Sequence, residues 1–118
     1  MGKIEEKSFE FAVEIVRAMR IVQGESKEYD LSRQLIRCGT SIGANVSEAQ
    51  KAQSDRDFMS KLSIASKEAE EARYWIKLMI ATELLSKESG TELIAQSEEL
   101  IRMLTAAIKT LNAKELNT

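Results

Sequence analysis

Phe58, Leu62, Ala65, Ala69, Ala72, Ile76 and Met79 recur at alternating spacings of four and three residues. That seam fits a helix packed along its length against other helices. It fits no strand, whose side chains change face at every residue. The 118 residues contain no proline and only 5 glycines, so little interrupts long helices, and the length suits one core. The expected class is all-α.

Three further segments carry helical periodicity. Residues 8–23 place Phe9, Ala12, Val13, Val16, Met19 and Val22 on one stripe, which Phe11, Ile15 and Ala18 widen. Gly24 should end that helix, and Asp30 is the expected N-cap of the next, over 31–52, whose apolar face includes Leu35, Cys38, Ile42 and Val46. The heptad helix should run over 55–85, entered at Ser54 with Asp57 three residues on. A fourth helix over 91–112 should start from Ser89 and Glu92, a capping box beside Gly90, and "AKELNT" should fray. Short connections make neighbouring helices antiparallel, so the expectation is an up-and-down four-helix bundle, a single domain over 1–118.

Charge and composition remove several function classes. Seventeen basic and 19 acidic residues give a net charge of -2, with no global positive field to recruit nucleic acid. Without histidine, Ser-His-Asp, Cys-His and Glu-x-x-His chemistry is excluded. Cys38, the one cysteine, lies on an apolar helix face and reads as a core thiol. Charges interrupt the apolar residues of "MGKIEEKSFEFAVEIV", so neither a signal peptide nor a membrane span is expected, and the default location is cytoplasmic.

The stretch "CGTSIGANVSEAQ" is the weakest helix former in the second helix. Gly39, Gly43 and Ser47 fall on one stripe at four-residue intervals, which lets another backbone come close. Each interior glycine costs about 1 kcal/mol relative to alanine, so close packing must offset the loss. Two readings stand: tight packing within the bundle, or a subunit contact.

A second stripe on the third helix, Ile64, Glu68, Glu71, Trp75 and Leu78, sets carboxylates among large apolar residues. Carboxylates so placed need partners. The expected polar cluster is Asn45, Glu48 and Glu71 with Arg37, and Trp75, with Leu78 and Met59 as its neighbours, is expected to pack between helices or to anchor a subunit interface.

A carboxylate site of Glu48, Glu68 and Glu71 is the arrangement left for a hard cation, and a structural polar network is the stronger reading. Gly39 and Gly43 lie inside a helix, so no phosphate-binding loop is indicated. Neither cofactor nor enzymatic activity is expected. For nucleic acid the candidate contacts are Arg33, Lys51, Arg56 and Lys61, but acidic residues interleave with the basic ones, as on an ordinary solvated face.

"LSRQLIRCGTSIGANVSEA" resembles the signature of a bacterial family, the four helix bundle proteins also described as intervening-sequence proteins of 23S ribosomal RNA genes. "DFMSKLSIASKEAEEARYWIKLM" is similar to that family's long third helix, with its carboxylate at Glu71. Many relatives have proline at the place of Gly43 and glycine at that of Ala49. The resemblance implies a four-helix bundle assembled as a homopentamer, and the role expected of the chain is a non-enzymatic, self-associating scaffold or adaptor. The alternative it implies is a nucleic-acid-binding accessory protein associated with ribosomal RNA or a reverse transcriptase.

Overall fold

The heptad seam is buried from Leu62 onward, and Phe58 at its start is partly buried. In a computed structural model describing residues 2–116, Leu62, Ala65, Ala69, Ala72, Ile76 and Met79 are all fully buried. They lie on α3 (Asp55–Ala81), which packs between α2 (Asp30–Ala49) and α4 (Lys87–Leu116). The alanines leave room for large side chains from both neighbours, Leu35, Ile42 and Val46 of α2 and Leu100 and Leu104 of α4. Burying each such leucine or isoleucine contributes about 1.5–3 kcal/mol. α1 (Gly2–Ser26) packs on α2 and closes the square against α4, the sparsest of the four seams. Among the described residues the backbones of diagonal helices do not come close, and the bundle measures 53 × 21 × 21 Å.

The expected all-α four-helix bundle is present, with shifted boundaries and one rotated face. α1 starts six residues before the expected position, because Ile4 and Ser8 continue its buried stripe. That stripe is Ile4, Ser8, Phe11, Ile15, Met19 and Val22, whereas Phe9, the expected lead residue, is 69 % exposed. The polar Ser8 hid this register: its hydroxyl donates to Glu5 O at 3.1 Å, so a serine sits in the core with its hydrogen bond made.

Asp30 is the first residue of α2 rather than its cap, and the work expected of it falls to Glu28, whose carboxylate accepts from Leu31 N–H at 2.6 Å. α2 ends at Ala49, three residues short of its expected end. Ser54 does cap α3, accepting from Asp57 N–H at 3.0 Å. α3 stops at Ala81 instead of 85, because Glu83 turns into the left-handed region at φ 63°. Leu84 N–H then bonds Met79 O at 2.8 Å and Glu83 N–H bonds Ile80 O at 3.0 Å, a Schellman motif closing the helix.

α4 starts four residues early. Its first turn is capped by Ser86, which accepts from Ser89 N–H at 3.1 Å, so Ser89 and Glu92 lie inside the helix and form no capping box. Gly90 is buried there because a Cβ would overlap Cγ1 and Cδ1 of Ile80. Within "AKELNT" α4 continues to Leu116, and Lys114 pairs with Asp55 at 3.2 Å. Asn117 and Thr118 lie outside the described residues.

Candidate functional site

Arg37 of α2 faces Glu68 and Glu71, one turn apart on α3. Its Nη1 donates to Glu68 Oε2 at 3.2 Å and its Nη2 to Glu71 Oε2. Trp75, one further turn along α3, donates its indole N–H to that same Glu71 oxygen at 3.0 Å. The indole hydrogen bond, and then Arg37, hold the Glu71 carboxyl below the usual carboxylate range against the opposing effect of burial. Glu71 in turn keeps Arg37 charged. The group cross-links α2 to α3 and orients the ring of Trp75, which meets Tyr74 edge-on at 5.2 Å.

The cluster differs from the expected one in membership. Asn45 turns back along α2 to donate to Ser41 O at 2.9 Å, and Glu48 lies 4.0 Å from Lys61, away from Arg37. Glu68 takes the place expected of them. Height along the helix separates them: Arg37 and Glu48 are eleven residues, three helical turns, apart, so they share a side of α2 at different heights. Among the described residues no three metal-ligating side chains are grouped to hold an ion, so Glu48 does not join Glu68 and Glu71 as a carboxylate site.

Cys38 is fully buried, its Sγ 3.6 Å from Leu35 O. Burial first, then the negative charge of Glu71, push its thiol up to about 12, so it stays protonated. The glycines beside it face α1. A Cβ on Gly39 would stand 3.0 Å from Ile15 Cγ2, and one on Gly43 would stand 3.5 Å from Ser8 O. Both glycines therefore bring α2 close to α1 within the chain. Ser47, the third member of that stripe, is exposed.

Beyond Gly43 the α1–α2 seam opens into a surface hollow of about 630 Å3. Phe9, Ala12, Gly43 and Ala44 line it, with Thr40 and Ser47 on the α2 side and Glu5, Glu6 and Glu10 around the α1 side. The small side chains of α2 create the depression, and Phe9 stands exposed next to it. Sequence reasoning missed the outward role of Phe9 because it assigned that ring to the core. Trp75 and Leu78 are half-buried on α3, and Trp75 packs against the core.

The candidate nucleic-acid contacts do not all gather: Lys51, Arg56 and Lys61 lie around the α2–α3 turn, and Arg33 stands apart. Arg33, over the Tyr29 ring at 5.5 Å, is near the start of α2, whereas Lys51 and Arg56 are at its far end, about 25 Å away at roughly 1.5 Å per residue. Lys61 faces Glu48. The surface around these cations is mixed in sign.

An apolar core shared by four helices, with a half-exposed ion-pair cluster and an exposed apolar hollow on its surface, defines an all-α four-helix bundle protein. The chain is matched over residues 2–106 by the model of the 23S rRNA-intervening sequence protein family, and it belongs to that family. It is also similar to a crystal structure from Bacteroides thetaiotaomicron VPI-5482, a protein of unknown function from the S23 ribosomal protein family. The two are 45% identical over 90% of this chain and 98% of that one, with a TM-score of 0.88. No curated protein shows significant similarity to the chain. No helix among the described residues is long and apolar enough to cross a membrane.

Proposed function

We propose that this chain is a non-enzymatic, self-associating scaffold or adaptor that works in the cytoplasm, and that its outer α1–α2 face takes part in assembly. The observation carrying the reading is Phe9, 69 % exposed beside a hollow floored by Ala12, Gly43 and Ala44. Large apolar side chains grouped on an exposed face favour contact with another macromolecule. The charged groups with perturbed titration are occupied in pairs between helices, Arg37 with Glu71 and Lys7 with Glu99. That is structural employment, and it supports a binding role over catalysis. The resemblance to intervening-sequence proteins implies five copies, and half-buried Trp75 and Leu78 supply a second apolar face for a ring contact.

The test combines native mass with fluorescence anisotropy of a labelled structured RNA at low and physiological salt. A stable oligomer that leaves the RNA free supports the scaffold reading. A monomer at every concentration removes it, and submicromolar RNA binding that weakens steeply with salt transfers the role to a nucleic-acid accessory protein.

A further inference from the structure

α1 carries a second seam that the bundle leaves uncovered. Glu6, Phe9, Val13, Val16 and Arg20 follow one another at spacings of three, four, three and four residues, the repeat of a helix face that meets another helix. None belongs to the buried core: Glu6, Phe9 and Arg20 are exposed, and Val13 and Val16 are half-buried. Val13, Val16 and Arg20 line a shallow hollow that continues the seam past Phe9. Among the described residues, neither Glu6 nor Arg20 lies within ion-pair distance of an opposite charge.

The order along this seam is acid, apolar, Val13, apolar, base. It therefore contains its own complement. Turning a second copy end for end sets Glu6 of each chain opposite Arg20 of the other, Phe9 beside Val16, and Val13 against Val13. A parallel copy would oppose Glu6 to Glu6 and Arg20 to Arg20, and like charges face to face oppose association. A basic peptide would satisfy the acidic end and leave Arg20 without an anion, so a second copy fits the whole seam better.

We infer that α1 pairs with α1 of a second copy, antiparallel, about a two-fold axis at Val13. The inference rests on the self-association proposed above and specifies one of its contacts. Such a contact is closed and joins chains in pairs, so rings of five would meet as ten.

The test is native mass together with charge exchange. Glu6→Arg and Arg20→Glu each raise the dissociation constant of the pair by about tenfold, while the two together in one chain restore it, because each reversed residue again meets an opposite charge. Circular dichroism confirms that these exposed substitutions leave the helices intact. As an independent measurement, Val13→Cys forms a disulfide-linked dimer under mild oxidation, whereas Ala95→Cys, exposed on α4, does not. Buried Cys38 does not compete. Failure of the double exchange to recover association overturns the inference, as does cross-linking of Ala95→Cys as fast as Val13→Cys. An assembly of five chains indifferent to these exchanges overturns it while leaving self-association standing; a monomer at every concentration overturns both.

Discussion

Glu71 shows how a half-exposed carboxylate acquires structural weight. One of its oxygens takes hydrogen bonds from an arginine on α2 and an indole on α3. Its pKa in the fold lies below the ordinary 4.5. The resulting stability is complete above the unfolded value and is lost as pH falls through the lower folded one. Melting temperature should therefore fall below pH 4.5, less steeply in Glu71→Gln than in the wild type. At neutral pH that variant should lose about 0.5–1 kcal/mol, since its side chain is 36 % exposed and screened. Glu99, held down by its hydrogen bond from Lys7, adds acid sensitivity of the same sign. At the end of α3 the left-handed Glu83 bears a steric cost that glycine lacks. Glu83→Gly should raise stability by about 1 kcal/mol in urea unfolding, and no gain would mean that the turn holds this conformation without strain.

At the level of helices, the two glycines of α2 make unlike contacts with α1. The Gly39 position meets the branched carbons of Ile15, which is fully buried and has nowhere to go, while Gly43 meets Ser8 at ordinary van der Waals distance. Gly43→Ala should gain about 0.5–1 kcal/mol of helix propensity, and Gly39→Ala should come out about 1–2 kcal/mol less stable than Gly43→Ala. Equal melting temperatures would contradict that difference. The existence and order of all four helices were legible because three- and four-residue spacing survives in each. Their ends were less so. Glu28 and Ser86, which act as caps, sit beside the equally plausible Asp30 and Ser89, and chain direction at a turn decides which oxygen reaches a free N–H. The face of α1 was misread because its apolar residues outnumber its core positions, and a serine occupies one of those positions.

Across the whole molecule the four seams are unequal. α1 and α4 share the sparsest packing, and Lys7–Glu99 at 2.9 Å is the ion pair that crosses it. Opening free energy follows buried contact, so α1 amides should exchange with deuterium sooner than those of α3. Uniform protection of all four helices would show instead that the bundle opens as one unit. The candidate site was legible in part: Arg37 and Glu71 stood out as charges beside apolar stripes. The exclusion of Glu48 follows from its eleven-residue distance from Arg37, whereas the turn of Asn45 back onto Ser41 and the pairing of Arg37 with Glu68 depended on how α2 sits against α3, which a single sequence does not specify. For the same reason the outward seam of α1 could not be told from an inward one until Phe11 and Ile15 were seen to occupy the core.

Cys38 gives this molecule a clock. Its thiol is sealed in the centre of α2, fully buried and pushed up to about 12. A colourimetric disulfide reagent can therefore reach it only in those moments when α2 parts from its neighbours. The rate of colour development at saturating reagent counts those moments directly, and following that rate from dilute to concentrated protein would report how far association holds the bundle shut.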